Sequence, residues 1–246
     1  MRARAFILIL LCAGPAQATD SLTVAVASNF ARSAAELAEQ YEAETGITVR
    51  LSNGSTGKLY AQILNGAPFD IFLAADADRP MRLEQSGHAV AGARFTYATG
   101  ALVLWSRSES DCRAALLDED GGRVALANPE TAPYGKAALE YLSGAGYWGA
   151  VSKRAVYGEN INQTLHFVAT GNAVIGLIAK SQLVVTALPD AACTWDVPVA
   201  SHSSLEQQVV VLTRAAGNDD ARRFFEYLRS DAAREIMSRH GYEVPR

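Results

Sequence analysis

Four short segments of this sequence combine serine, threonine, asparagine and glycine where a predicted strand or extended stretch leads into a predicted helix. They are residues 27–30, 52–57, 128–135 and 159–164. A helix start exposes unpaired backbone N–H groups and a partial positive charge, so it is suited to bind an anion. Each junction taken alone fits an ordinary helix cap, which is the more common case. Anion binding requires that several of them converge, which the sequence alone does not show.

The donors at these junctions are neutral, with Lys58 as the nearby basic residue at the first two. Neutral donors recognise an anion by the number and geometry of their hydrogen bonds. A site made only of donors suits a fully deprotonated oxyanion, whereas hydrogen phosphate needs an acceptor for its O–H group. Glu159, two residues before Ile161, is the nearest candidate for such an acceptor.

Enzymatic and metal-binding alternatives have weak support. A serine nucleophile needs a histidine base, and no histidine lies in a recognised motif. The motif GxSxG is missing from the sequence. A P-loop fails because Leu59 follows Gly57-Lys58 and Ser52 replaces the first glycine. No His, Cys or Asp spacing matches a metal site. We therefore expect no enzyme activity, no cofactor and no protein ligands to a metal.

The elements that must position the junctions follow an α/β pattern. An early β-α-β-α-β series predicts a parallel sheet covered by helices, and a second such series follows it. The chain then returns through a late strand and closes with one amphipathic helix. This order favours two lobes with a ligand in the cleft between them. The predicted strands are residues 22–27, 48–51, 71–75, 101–106, 124–127, 154–157, 174–179 and 208–213.

Composition limits the class of protein. The chain has 246 residues, of which 49% are apolar and 20% are charged, with a formal net charge of −4. This is an ordinary globular balance, and the length suits one large domain or two lobes. Nucleic acid is excluded as an expected partner because there is no basic tract.

The N-terminus has the three parts of a secretory signal peptide. Arg2 and Arg4 precede an apolar run over residues 5–13, and Ala16-Gln17-Ala18 follows as a small-x-small cleavage site. We expect residues 1–18 to be a signal peptide, cleaved near Ala18, and the mature chain to be exported.

Two cysteines, Cys112 and Cys193, remain in the mature chain. A pair of cysteines in an oxidising compartment can form a disulfide, which we predict here. The alternative, a reactive thiol, lacks a supporting histidine or CxxC motif. The sequence does not give the distance between the two.

The junctions, together with other segments, resemble the molybdate-binding proteins of periplasmic ABC importers. The similarity covers essentially the whole mature chain, and the stretch Ala67-Pro68-Phe69-Asp70 is especially specific in that combination. The resemblance implies a two-lobed type II periplasmic binding-protein fold, with a mostly parallel sheet flanked by helices in each lobe and molybdate or tungstate in the cleft. The matching segments are residues 26–30, 54–63, 65–76, 94–100, 128–135 and 241–242.

The resemblance also implies a set of ligand-binding residues that hold the oxyanion without salt bridges. Ser28 and Asn29 would donate hydrogen bonds from the first junction, and Ser55 would donate through its hydroxyl and its backbone N–H. Tyr134 and Ile161 would donate through backbone N–H groups at the third and fourth junctions. Molybdenum would be present only within the oxyanion, with no direct ligand from the protein.

One position departs from the pattern that the resemblance implies. Some members of the family donate a tyrosine hydroxyl after the strand that corresponds to residues 174–178, where this chain has Ala179. Other members lack that tyrosine and have an asparagine beside the first serine, as Asn29 does here. Lys180, next to Ala179, either faces the cleft or is solvated.

The resemblance further implies lobe boundaries, a location and a partner. Lobe one would comprise residues 19–99 and 204–246, and lobe two residues 100–203. The protein would be a periplasmic monomer that delivers its ligand to an inner-membrane ABC permease. Two alternatives stay open: another oxyanion such as sulfate or phosphate in the same fold, or an adhesion or accessory domain that only uses the fold.

Overall fold

A computed structural model describes residues 21–245 of the chain. The predicted signal peptide and its cleavage site near Ala18 lie outside the described residues. Within the described range, no helix is both long enough and apolar enough to cross a membrane.

Residues 21–245 form ten strands and ten α-helices, with a short 3-10 turn, Ser28–Phe30, between the first strand and the first helix. The strands are β1 (Ser21–Ala27), β2 (Thr48–Gly54), β3 (Ile71–Leu73), β4 (Ala89–Thr99), β5 (Leu102–Ser106), β6 (Val124–Ala127), β7 (Ala155–Gly158), β8 (Ile175–Ala179), β9 (Cys193–Asp196) and β10 (Glu206–Leu212). The helices are α1 (Ala31–Thr45), α2 (Thr56–Leu64), α3 (Asp78–Gln85), α4 (Ala114–Leu117), α5 (Pro133–Gly144), α6 (Trp148–Val151), α7 (Ile161–Ala169), α8 (Lys180–Val185), α9 (Asp219–Tyr227) and α10 (Asp231–Arg239).

The strands form two separate five-stranded sheets. The first has the order β2-β1-β3-β10-β4, in which β1 runs parallel to β2 and β3 while β10 runs antiparallel to β3 and β4. The second has the order β7-β6-β8-β5-β9, in which β6 runs parallel to β7 and β8 while β5 runs antiparallel to β8 and β9. The predicted two-lobed α/β class is confirmed, and the lobe boundaries stay a prediction.

Helices pack on both faces of the first sheet because its inner strands are apolar on both sides. Leu37 and Tyr41 of α1 lie four residues apart and pack on one face together with Phe224 of α9. The rings of Tyr41 and Phe224 meet edge to face, with centroids 5.1 Å apart. Leu59 of α2 and Leu83 of α3 cover the opposite face. The sheet is therefore fixed in a rigid layer from which its loops project.

The predicted elements were wrong at the closing helix and at one strand of the first sheet. The closing helix, expected to be continuous, is divided into α9 and α10. The division occurs at Ser230, whose side chain accepts a hydrogen bond from the N–H of Ala233 and so starts a new helix. Strand β4 was missed because its residues are mostly half exposed and its apolar pattern is weak.

The four junctions lie at the ends of strands, at one edge of each sheet. Strands β1, β2, β6 and β7 each end directly before one of them, and the carboxyl ends of parallel strands lie at one edge of a sheet. In open α/β sheets, ligands bind outside this edge. The fold therefore places two junctions at the ligand-binding edge of each sheet.

A disulfide joins Cys112, in the loop before α4, to Cys193 of β9, with the two Cα atoms 5.7 Å apart. The bond closes a loop between residues that are 81 positions apart in the chain. It ties the loop to the edge strand of the second sheet.

We expect this disulfide to stabilise the protein by about 2–4 kcal/mol, the usual range for such a bond. Intact-mass spectrometry without reductant should find the mature chain two hydrogens lighter than after reduction, and reduction should lower the midpoint of thermal unfolding. Alkylation of both Cys112 and Cys193 in the unreduced protein would contradict the prediction.

Candidate functional site

The four junctions converge on one small cavity of about 10 Å³ between the two sheets. Its walls come from the starts of four helical segments: the 3-10 turn before α1, and helices α2, α5 and α7. The structure brings together all five residues predicted to bind the ligand, Ser28, Asn29, Ser55, Tyr134 and Ile161. Each of them is at least nine-tenths buried.

The surroundings of the Ser55 hydroxyl indicate that it binds a ligand. Ser55 is 2% exposed and stands at the cap position of α2, yet its side chain makes no capping hydrogen bond. Its Oγ atom is buried and has no hydrogen-bond partner within residues 21–245. A buried hydroxyl without a partner costs free energy, and native structures rarely keep one without a reason. The interpretation of this junction as an ordinary cap is therefore not supported.

Helices α5 and α7 present backbone donors rather than side chains. Pro133, the first residue of α5, has no N–H group, so the first free donor of that helix is the N–H of Tyr134. At α7 the side chain of Asn160 caps the N–H groups of Asn162 and Gln163. This leaves the N–H of Ile161, which lines the cavity, without an acceptor among the described residues.

The side chain of Asn29 is bound within the protein and does not serve the cavity directly. Its side-chain Nδ2 donates to Gln207 Oε1 at 2.9 Å and to the hydroxyl oxygen of Tyr242 at 3.2 Å. Both N–H groups of the amide are therefore used within the protein. The group that Asn29 can still offer to the cavity is its backbone N–H, which lies in the first turn of the helical segment.

Comparison with known proteins defines the family. The chain matches the model for bacterial extracellular solute-binding proteins over residues 22–243. It is 42% identical over 237 residues to the molybdate-binding protein ModA of Azotobacter vinelandii, which spans 95% of this chain and 93% of that protein. The ModA of Rhodobacter capsulatus is 38% identical, over 98% of this chain and 94% of that protein. The chain belongs to the ModA family.

A solved structure supports the same assignment for this ModA-family chain. The periplasmic molybdate-binding protein of Azotobacter vinelandii superimposes with a TM-score of 0.84 at 35% identity, covering 92% of this chain and 100% of that one. The sulfate-binding protein SubI of Mycobacterium tuberculosis superimposes with a TM-score of 0.75 at 13% identity, covering 92% and 87%. The second likeness shows the fold alone. The family consists of solute-binding proteins of transporters and is not an enzyme family.

The cavity of this ModA-family protein contains no charged side chain among the residues that line it. Tyr134 is the one ionisable residue there, and burial raises its pKa well above the ordinary value, so its hydroxyl stays neutral. Elsewhere in residues 21–245, no group of three or more His, Cys, Asp or Glu side chains is placed to hold a metal ion. Positive potential at the site therefore comes from helix starts and oriented N–H groups.

Glu159, in the fourth junction, and Lys58, directly after the second, form an ion pair with each other. Both side chains are about half exposed, at 54% and 48% respectively. Neither is among the residues that line the cavity. Glu159 is thus not placed to accept a proton from a ligand there.

Ala179 is fully buried at the end of β8 and does not line the cavity. Its N–H donates to Gln182 Oε1 at 3.0 Å, and Gln182 Nε2 donates to the carbonyl of Ile161 at 3.1 Å. A side chain from α8 thus supports the start of α7, next to the position at which the resemblance implied a tyrosine hydroxyl in some family members. Lys180 pairs with Asp196 at 2.9 Å and is not among the cavity residues.

Other lining residues were not predicted: Ala27, Thr56, Ala75, Ala132 and Pro133. The hydroxyl of Thr56 accepts a hydrogen bond at 3.2 Å from the N–H of Ala75, so it holds the end of β3 against α2. The alanines bring no donor side chain that a sequence motif could reveal. Their small size lets the backbone approach the cavity closely.

Direct contacts across the cleft close the cavity. The N–H of Gly57 in α2 donates to the carbonyl of Thr131 at 2.8 Å. Arg79 Nη2 donates to the carbonyl of Glu130 at 3.3 Å, next to this contact. Together with the ion pair of Lys58 and Glu159, these bonds join the first sheet's helices to the loops of the second sheet.

Proposed function

We propose that this protein binds molybdate or tungstate as a tetrahedral dianion and delivers it to an inner-membrane ABC permease. The observation that carries the proposal is the buried hydroxyl of Ser55, which has no hydrogen-bond partner within residues 21–245 and faces a cavity whose lining residues carry no charge. The names of the relatives that share 42% and 38% of their residues with this chain agree with it.

Five donors fit such a ligand. The backbone N–H groups of Tyr134 and Ile161, the first-junction residues Ser28 and Asn29, and the hydroxyl of Ser55 all lie at the cavity. A dianion stripped of water is stabilised by several hydrogen bonds to its charged oxygens, each worth about 1.5–3 kcal/mol.

Export to the periplasm, action as a monomer, and function without a cofactor or nucleic acid belong to the same proposal. The family description, an extracellular solute-binding protein, supports export. We likewise propose that the protein is not an enzyme, because no charged side chain lines the cavity and its one ionisable lining residue, Tyr134, stays neutral.

Isothermal titration of the mature chain with molybdate, tungstate, sulfate and phosphate tests the proposal. We expect tight one-to-one binding of the first two ions and no binding of hydrogen phosphate, because no carboxylate is among the residues that line the cavity to accept its O–H group. Tight sulfate binding would keep the mechanism and overturn the proposed substrate. No heat with any of these ions would favour the alternative of an accessory or adhesion domain.

We expect the affinity for molybdate to change less than about threefold between pH 6 and pH 8, because no group that titrates there lines the cavity. Tyr134 stays protonated throughout because burial raises its pKa well above 10. Titrations at three pH values in one buffer system of constant ionic strength measure this. A steep dependence would indicate that a protonated ligand or a histidine takes part.

A further inference from the structure

Gln207 of β10 is fully buried and connects the two sides of the cavity without lining it. Its Oε1 accepts hydrogen bonds from Asn29 Nδ2 at 2.9 Å and from the hydroxyl of Tyr97 at 3.1 Å. Its Nε2 donates to the hydroxyl oxygen of Tyr134 at 3.3 Å. One amide therefore contacts a helix start from the first sheet and a helix start from the second.

The hydrogen bonds around Asn29 determine which way its amide is oriented. The hydroxyl of Tyr242 donates to the backbone carbonyl of Asn29 at 2.9 Å, so the same hydroxyl accepts from Asn29 Nδ2. The second N–H of that amide is directed at Gln207 Oε1. Gln207 and Tyr242 together hold the turn that faces the cavity in a single orientation.

The contact between Gln207 and Tyr134 depends on Gly100 having no side chain. Gly100 lies where the chain passes from the first sheet to the second. A Cβ atom at Gly100 would lie 2.0 Å from the Tyr134 hydroxyl and 2.8 Å from Gln207 Nε2. Glycine leaves the Tyr134 side chain room to reach across the crossing point. The start of α5 is thereby tied to β10 in the other sheet.

We propose that Gln207 is a positioning residue for oxyanion capture, which holds the turn at Asn29 and the start of α5 in one mutual arrangement. The inference rests on the proposed function, because its readout is affinity for the oxyanion. Gln207 acts through Asn29 and Tyr134, and its own side chain is not among the residues that line the cavity.

The decisive variant is Gln207→Glu, which keeps the shape of the side chain and replaces the donor Nε2 with oxygen. At pH 8 the introduced carboxylate cannot donate to Tyr134 and places a negative charge near a bound dianion. We expect at least about a tenfold loss of molybdate affinity at pH 8, and partial recovery towards pH 6 as the buried carboxyl takes up a proton. A side chain with a purely structural role would not confer this pH profile.

The groups that face this position do not titrate in the same range. They are the hydroxyls of Tyr97 on β4, Tyr134 on α5 and Tyr242 near the C-terminus, and burial raises the pKa of each. Asp76 contributes to the raised pKa of Tyr97 and forms an ion pair with Arg79. A pH dependence that appears only in the variant would therefore belong to the introduced carboxyl.

Gln208→Glu is the matched control. Gln208 is the next residue of β10 and is also buried, but its Oε1 accepts from Arg94 Nη1 at 2.6 Å and its Nε2 donates to Thr96. An introduced carboxylate there meets the guanidinium of Arg94 on the side of the sheet away from Gln207. We expect affinity equal to that of the unaltered protein at every pH.

Gln207→Met keeps the test decisive if the Glu variant does not fold. It removes all three hydrogen bonds without adding charge, so we expect about a tenfold loss of affinity that is the same from pH 6 to pH 8. Tyr134→Phe removes only the bond across the crossing and should weaken binding less. Circular dichroism and thermal unfolding verify that each variant is folded.

The inference is overturned if folded Gln207→Met binds molybdate as tightly as the unaltered protein, or if Gln207→Glu does so at pH 8. A loss in Gln207→Glu that is equal from pH 6 to pH 8 also contradicts it, because a protonated carboxyl has an O–H group that can donate to Tyr134 and should restore part of the affinity. Failure of the unaltered protein to bind any oxyanion would instead contradict the proposed function, so the two failures are distinguishable.

Discussion

Gly57→Ala is expected to weaken molybdate binding about tenfold to a hundredfold, because an added methyl group obstructs closure of the cleft. A Cβ atom at Gly57 would lie 2.9 Å from both the Cα and the carbonyl oxygen of Thr131 in the opposite loop. Both of those atoms are backbone, so they cannot give way by a change of rotamer. The hydrogen bond from the Gly57 N–H to the Thr131 carbonyl, now 2.8 Å, would lengthen or break.

The same change should leave the ligand-free protein folded, because a hinge motion that separates the two lobes relieves the clash at Thr131. Gly57 lies in helix α2, where alanine is generally more favourable than glycine by about 0.5–1 kcal/mol. We therefore expect an unchanged or slightly higher midpoint of thermal unfolding without ligand, together with a smaller upward shift on adding molybdate. Isothermal titration and thermal unfolding of the same preparations measure both quantities.

Gly144→Ala in helix α5 is the control for this substitution. A Cβ atom at Gly144 meets nothing within 4 Å. Its affinity for molybdate should match that of the unaltered protein. Equal affinities in Gly57→Ala and Gly144→Ala would show that the closed contact at Thr131 plays no part in binding.

Ser55→Ala is expected to cost about 1.5–3 kcal/mol of binding free energy, which corresponds to roughly a tenfold to 150-fold loss of molybdate affinity. The hydroxyl is buried at the cavity and makes no hydrogen bond to another described residue, so a ligand oxygen is the acceptor that it would serve. Removing the Ser55 hydroxyl breaks no hydrogen bond to a described residue in the ligand-free protein. Stability without ligand should therefore stay the same or increase.

Thr131→Val provides a control of matched chemistry. The Thr131 hydroxyl is likewise buried without a partner among residues 21–245, but Thr131 is not among the residues that line the cavity. We expect its affinity to remain within about twofold of the unaltered value, since no hydrogen bond to a charged group is removed. Unchanged affinity in Ser55→Ala would remove Ser55 from the ligand set.

The elements that could be predicted from the sequence are those with strong local signals. Strands β1, β6 and β8 are buried along nearly their whole length and read as apolar runs, while helix α1 ends at Gly46, a glycine with φ of +73°. Strand β9 was missed because its residues alternate between half-buried and exposed positions. Its place in the sheet depends on pairing with β5, far away in the sequence.

The residues of the candidate site also differ in whether the sequence could reveal them. Ser55 could be found because a hydroxyl at a predicted helix start is a recognisable local feature, and the family resemblance singled it out. Gln207 could not be found from the sequence, because a glutamine directly before the predicted strand 208–213 belongs to no motif. Its importance comes from Asn29 and Tyr134, which are 178 and 73 residues away in the sequence. Networks of this kind exist only once the chain has folded.

The order of strands in the first sheet also determines when the site can form as the chain is synthesised. Strand β10 lies between β3 and β4, although it comes from residues 206–212, near the end of the chain. The second sheet and its disulfide come from one continuous stretch, residues 102–196. A chain that emerges N-terminus first can thus complete the second sheet while the first still lacks an inner strand. The oxyanion site is consequently among the last parts to be assembled, because the first sheet that supports it is complete only when β10 has been added.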